Sequence, residues 1–143
     1  MSMEKYNKIH FIGIGGISMS SLAEILKSKG KTITGSDGVA SNVTKALENI
    51  GIQVSIGQKA ENITPDTDLI VYTAAVKEDN PELMAARASG IETVDRAALV
   101  GMMMLEYKFP LSVAGTHGKT TTSSLVTEIF LEAKANPTVS IGG

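Results

Sequence analysis

Between residues 8 and 107, short β-prone runs alternate with segments of helical periodicity. That alternation leaves the chain very few folds to choose from. "KIHFIGIGG" (Lys8 to Gly16) is an apolar run closing on glycines, which reads as a buried strand entering a turn. "SMSSLAEILKSKG" then places Met19, Leu22, Ala23 and Leu26 at helical spacing, with Gly30 as the stop. "KTITGSD" is a second strand ending at Asp37. "SNVTKALENIG" is a helix with Val43, Leu47 and Ile50 on one face, and "QVSIG" is a third strand. After a polar loop, "DLIVYTAAV" is a fourth strand and "NPELMAARASG" a helix with an Asn cap and Pro at its first position. "IETVD" and "RAALVGMMMLEY" complete the series as a fifth strand and a further helix. The order β-α-β-α-β-β-α-β-α predicts an α/β fold: a mostly parallel sheet with helices on both faces.

The pattern breaks at "EYKFP", where Pro110 biases its neighbour away from helix and marks a linker. Beyond it, "LSVAG" reads as a sixth strand, "THGK" as a loop, and about 120–133 as a helix. Two units follow: a domain over 1–107, and over 108–143 the opening strand, loop and helix of a second domain. So short an opening buries no core of its own. The tail 111–143 is therefore expected to lean on the first domain or on a neighbouring chain, which is a route to a homo-oligomer.

Two glycine-rich loops carry the chemistry. "GIGGIS" (Gly13 to Ser18) follows a strand and opens a helix, the context of a dinucleotide fingerprint. Gly13 suits the tight turn, and Gly15 suits close approach of backbone to a diphosphate at the helix N-terminus. The third position of G-x-G-x-x-G is Ser18, so the match is partial. Asp37, at the end of the second strand, stands where an acid often meets a ribose hydroxyl. A dinucleotide and a nucleotide-sugar both use such a loop; the plain alternative is a turn that only joins strand to helix.

The second loop is "VAGTHGKTTTSS". A standard phosphate loop, G-x-x-x-x-G-K-[ST], would need glycine where Val113 stands, so this is a shortened variant framed by Gly115 and Gly118. Backbone amides around 116–120 can wrap a phosphate. Lys119 can neutralise β/γ oxygens, and the Thr120 or Thr121 hydroxyl can ligate Mg²⁺. His117 either positions a reactant or is simply polar at the loop crest. His10 reads as a packed strand residue, and "MMML" as helix core.

Composition narrows the class. The 143 residues carry a net charge of −2, which argues against nucleic acid as a partner. Three Phe, three Tyr and no Trp give no stacking platform for single strands. No apolar run is long enough to span a bilayer, and "MSMEKYNK" has no signal core. The absence of cysteine excludes disulfides and thiolate metal sites, and is compatible with a cytoplasmic protein.

"GIGG" near residue 15 and "AGTHGKTTT" near residue 118, in that order, resemble the Mur ligase family. "HFIGIGGISMSSLAEIL", "GSD", "SNVTKALENIG", "NPEL", "RAALV" and "VAGTHGKTTTSSLV" are all similar to its N-terminal half, so the resemblance covers essentially the whole chain. It implies a Rossmann-like first domain holding the UDP part of a substrate, followed by a central ATP-binding domain. It also implies a bacterial, cytoplasmic ligase of peptidoglycan precursor synthesis. ATP phosphorylates a muramate carboxylate to an acyl phosphate, which the amine of an amino acid attacks to form an amide. The "GIGG" loop favours the L-alanine-adding member, with UDP-N-acetylmuramate, L-alanine and ATP as small-molecule partners and Mg²⁺ as the metal.

Carried over by position, the resemblance places Gly15, Gly16, Ser18 and Met19 at the UDP diphosphate and Asp37 on the uridine side. Thr73, Ala74 and Ala75 line the same crevice, and Arg96 stands near the substrate entrance. Gly115, Thr116, His117, Gly118, Lys119, Thr120 and Thr121 hold the ATP phosphates, with Lys119 and His117 as catalytic candidates. Thr120 and Thr121 are the metal candidates. Three positions depart from the family pattern: Ser18 for a glycine, Gln58 for a histidine, and "TAAV" for a serine-richer run. The competing readings are a recycling ligase joining a peptide to UDP-muramate, a non-catalytic UDP-sugar-binding module, and an NAD(P)-dependent oxidoreductase domain. The last leaves "GTHGKTTT" unexplained. With so little of the ATP domain present, the chain alone is expected to be inactive.

Overall fold

The computed structural model describes residues 2–106, and there the expected alternation is present. The strands are β1 (Lys8–Ile12), β2 (Thr32–Asp37), β3 (Gln53–Ile56), β4 (Leu69–Tyr72) and β5 (Glu92–Asp95). Between and after them run α1 (Ile17–Ser28), α2 (Asn42–Asn49), α3 (Pro81–Ala88) and α4 (Arg96–Met104). The expected sixth strand, phosphate loop and final helix lie outside the described residues.

Local chemistry sets most helix starts. Ser41 accepts from the Thr44 amide while Thr44 Oγ1 accepts from the Ser41 amide, a reciprocal cap on α2. Asn80 caps α3 with Pro81 at the first position, and Asp95 accepts from the Ala98 amide to start α4.

The strand order is β3-β2-β1-β4-β5, and all four pairings are parallel. Alternate residues of β1 serve opposite faces. Ile9 and Phe11 join the larger core, which takes Leu22 and Leu26 of α1, Leu47 of α2 and Leu99 of α4. Ile12 points the other way, to Ile70 and to Leu83 and Ala86 of α3. Helices thus cover both faces, with α3 opposite α1.

Two differences from the sequence reading have clear causes. The apolar run after Asp68 was expected to stay extended to Val76, but β4 ends at Tyr72. Its last rungs pair Ile12 with Tyr72 and Tyr72 with Asp95; beyond them β1 turns off at Gly13 and β5 becomes α4. With no neighbour on either side, Thr73–Val76 folds into a turn closed by the Val76 amide on the Thr73 carbonyl. The N-terminus, for which no element was expected before the first strand, forms a 3₁₀ turn over Met3–Lys5. Met3 is fully buried, its amide donates to Glu106 Oε1 at 3.1 Å, and its carbonyl accepts from Lys31 Nζ at 2.9 Å.

That burial makes Met3 a structural residue. Met3→Ala is expected to lower unfolding stability by about 3 kcal/mol, with an unchanged denaturant slope in urea titration. A pH effect comes from Asp68, whose carboxylate accepts the Lys8 and Asn7 amides and is held below the usual aspartate range by them. A group depressed in the native state lends stability above its unfolded pKa, near 4. That stability disappears as pH falls through the lower native value. Unfolding curves between pH 6 and 2 should therefore decline less steeply for Asp68→Asn than for the parent.

Candidate functional site

The topology opens a crevice at a defined place. β1 and β4 are neighbours, yet the chain leaves β1 toward α1 on one face and β4 toward α3 on the other. The two exits diverge, and a gap forms at the carboxyl ends of the strands, where ligands of such sheets bind. A cleft of about 670 Å³ occupies it, a size suited to a small molecule. Its floor comes from Gly13 and Gly16, one side from Asp37 and Gly38, and the other from Thr73, Ala75, Val76, Lys77 and Asp79. Gln58, Asn80 and Pro81 close the far end.

The glycine turn hangs from one acceptor. The Gly13 and Ile14 amides both donate to the Ser36 carbonyl, each at 2.9 Å. Gly13 reaches this geometry at φ +86°, and a Cβ there would stand 2.7 Å from Thr73 Cγ2. The Gly15 amide donates to Asp37 Oδ2 at 2.9 Å. Gly15 and Asp37, both assigned to ligand from the sequence, therefore meet each other, and the Gly15 amide is already engaged.

α1 begins differently from the other described helices. Its N-cap is Gly16, with no side-chain hydrogen bond, whereas α2, α3 and α4 are each capped by a side chain. The first-turn amides of α1 thus lack a side-chain acceptor at a positively polarised helix end. Arg96, at the start of α4, donates from Nη1 to Ser18 Oγ at 3.0 Å, across 78 residues of sequence. The structure thus unites Ser18 and Arg96, two residues singled out separately.

The remaining expected residues divide. Thr73 and Ala75 line the cleft, while Ala74 is exposed and not among its lining residues. Met19 is 2% exposed and packs in the core, so only its backbone is placed to serve the helix end. Gly115 to Thr121, with Lys119 and His117, lie outside the described residues. Sequence reasoning passed over Lys77, a cation on the cleft wall whose signal was the charged run "KEDN" after β4. It also missed that Asn80 Nδ2 donates to Gln58 Oε1 at 2.7 Å, linking the α3 start to the loop after β3. Among the described residues no group of three or more His, Asp or Glu side chains could hold a metal ion. No described helix is long and apolar enough to cross a membrane.

Beneath the cleft lies a polar network. Glu82, fully buried, receives His10 Nε2 at 2.6 Å and the Ser36 hydroxyl at 2.6 Å. The other His10 nitrogen meets Thr34 Oγ1 at 2.8 Å. His10 is a packed strand residue, as its sequence context suggested, but both of its nitrogens are bonded.

Known proteins similar to this chain agree in sequence and in structure. The family model described as "Mur ligase family, catalytic domain" matches residues 8–108. The UDP-N-acetylmuramate–L-alanine ligase of Agathobacter rectalis is 58% identical over 135 residues, which is 94% of this chain and 29% of that protein. The crystal structure of UDP-N-acetylmuramate–alanine ligase from Thermotoga maritima superposes with a TM-score of 0.80 at 36% identity, covering 89% of this chain and 30% of that one. A murein peptide ligase from Psychrobacter arcticus gives a TM-score of 0.80 at 30% identity, covering 89% of this chain and 27% of that one. The chain thus spans about three-tenths of the length of the curated relatives it matches.

The two adjacent glycines should respond differently to a methyl group. At Gly15 a Cβ would lie 2.6 Å from Asp37 Oδ2 and 3.3 Å from Thr44 Cγ2, so Asp37 must swing away and release the Gly15 amide. At Gly16 it would meet nothing nearer than 3.7 Å. Gly15→Ala is expected to cost about 1–2 kcal/mol in urea unfolding, and Gly16→Ala less than about 0.5 kcal/mol.

Proposed function

This chain belongs to the Mur ligase family, and we propose that it is the amino-terminal part of a UDP-N-acetylmuramate–L-alanine ligase whose first domain seats the UDP portion of the substrate. The observation that carries the reading is the uncapped start of α1 in the switch-point crevice, with the Arg96 guanidinium held against Ser18 beside it. A diphosphate needs oriented donors and positive charge. The first-turn amides of Ile17, Ser18 and Met19 supply the donors, and Arg96 supplies a planar cation suited to phosphate oxygens. Lys77 brings a second cation to the cleft wall.

The polar groups at the other side of the cleft suit a nucleoside. Asp37, half-buried, faces the space where a ribose hydroxyl would lie, and the Gln58–Asn80 amide pair offers hydrogen-bonding edges to a base. Support for the L-alanine-adding member comes from the relatives: the similar proteins carrying that name are 51–58% identical to this chain. The match to the Agathobacter protein spans 94% of the chain, too much to omit 115–121.

Gly115, Thr116, His117, Gly118, Lys119, Thr120 and Thr121 are proposed to hold ATP, with Mg²⁺ on the Thr120 or Thr121 hydroxyl. Bound there, ATP and Mg²⁺ would supply the phosphoryl group and the charge neutralisation that activate a carboxylate for amide formation. The proposed process is cell-wall precursor synthesis in a bacterial cytoplasm. The division at 107/108 between the UDP-sugar domain and the ATP domain belongs to the same proposal, as does any self-association through 108–143.

Calorimetry of this chain with UDP, UDP-N-acetylmuramate, uridine and NAD tests the reading. UDP and the UDP-sugar should bind, and NAD should neither bind nor compete. Arg96→Met should weaken UDP about tenfold, the loss of one charge-assisted contact, and leave the weaker uridine binding unchanged. Tight NAD binding without UDP binding would instead establish a dinucleotide domain. With ATP, Mg²⁺ and UDP-N-acetylmuramate, the isolated 143-residue chain should release no L-alanine-dependent phosphate.

A further inference from the structure

The buried network beneath the cleft is not used by the proposed UDP contacts, and its geometry gives it a task. Glu82 is 0% exposed, His10 2% and Ser36 0%. Placing a carboxylate there is unfavourable unless both oxygens are satisfied, and both are, by His10 Nε2 and Ser36 Oγ at 2.6 Å each. Since the carboxylate can only accept, the proton of that first contact sits on His10 Nε2. Stability alone does not explain the choice, because an apolar trio of similar volume serves a core as well or better.

Position does explain it. Ser36 is held twice: its carbonyl accepts the Gly13 and Ile14 amides that form the cleft floor, and its hydroxyl donates to Glu82. Glu82 follows Asn80 and Pro81, which form the far wall of the same cleft. The next residue after Ser36 is Asp37, which binds the Gly15 amide and also lines the cleft. One carboxylate therefore joins the strand ends that carry the glycine turn to the helix start that carries the opposite wall. Those elements belong to β1, β2 and α3, and α3 packs on the other face of the sheet from α1.

We infer that Glu82 is a positioning residue that sets the width of the cleft, holding the Asn80–Pro81 wall against the Ser36 anchor of the glycine turn. It touches no ligand and acts through Ser36 and His10. Its ligand consequence rests on the proposed UDP seat; its structural consequence does not.

The test separates positioning from packing. The triple variant His10→Leu/Ser36→Ala/Glu82→Met replaces the network by apolar side chains, and Ser36→Ala alone cuts only the tether between wall and turn. Both should keep a cooperative urea transition, the triple variant near the parent midpoint and Ser36→Ala at a lower one, because Glu82 Oε2 loses its donor. Both should bind UDP about tenfold more weakly, the worth of one to two hydrogen bonds, and show faster hydrogen exchange at the Gly13 and Ile14 amides. Glu82→Gln should behave otherwise. Its carbonyl can still accept from Ser36, and its NH₂ can donate to His10 once the ring moves its proton to Nδ1 and donates to Thr34. UDP affinity should then stay within about threefold while the His10 ¹⁵N shifts change. If the folded triple variant binds UDP as the parent does, the network is packing and the inference is overturned. If the parent fails to bind UDP, the functional reading falls, and the exchange rates decide the positioning claim alone. Unchanged Gly13 and Ile14 exchange in both variants would refute it.

Discussion

Everything in this domain depends on β1 having a parallel neighbour on each side. A parallel pair cannot be joined by a hairpin, so each connection must cross a face of the sheet and return. With β2 and β3 on one flank and β4 and β5 on the other, α1, α2 and α4 cover one face and α3 covers the opposite one. At β1 the strand order reverses, and there the adjacent strands β1 and β4 send their chains to opposite faces. The cleft is therefore a result of topology before it is a result of side chains, and the loop after Ile12 supplies its floor.

Side chains then decide what kind of ligand. Three of the four described α-helices spend a Ser, Asn or Asp on their first-turn amides; the helix at the cleft spends none. An uncapped start leaves donors unsatisfied unless water or an anion supplies the acceptors. Capping α1 with a side chain would stabilise the helix by about 1 kcal/mol and would fill the space a phosphate needs. The glycines keep side-chain bulk out of the same place: a Cβ at Gly13 would stand 2.7 Å from Thr73 Cγ2, and one at Gly15 2.6 Å from Asp37 Oδ2.

How much of this could be read from residues alone follows the range of the interactions. The alternation of strands and helices, the Asn80–Pro81 helix start and the glycine turn after β1 rest on neighbours within about four residues, and all were legible. β4 was misjudged by four residues because strand ends are set by partners: a run as β-prone as "YTAAV" stops where its neighbours leave. Ser18 and Arg96 were each flagged, but their contact was not, since nothing in a sequence states that residues 78 apart touch. The Glu82 network was least visible of all. Glu82 has an adequate local explanation as an acid in a first turn, His10 as a strand residue, and Ser36 as a small residue at a strand end. Each explanation hides the shared one. The burial of Met3 was not legible because a short polar terminus carries no periodicity to read.

Asp37 adds a constraint on how a UDP-sugar would lie. An acid at the rim of a diphosphate site is unfavourable unless its charge is engaged, and here the Gly15 amide engages it at 2.9 Å. That contact removes Gly15 N–H from the donors open to an anion. The free donors begin at the α1 first turn, on the side where Arg96 meets Ser18. The glycine-turn side of the cleft thus carries a carboxylate at β2 and oriented amides at α1, with the Arg96–Ser18 contact beside the lining residues and Lys77 and Asp79 on the facing wall. In the proposed mode, a nucleoside diphosphate satisfies that arrangement in one direction only. Its ribose hydroxyls, which can donate, go toward Asp37, and its phosphates go toward the helix. The sugar beyond the second phosphate then leads away from Asp37, past Ser18 and Arg96.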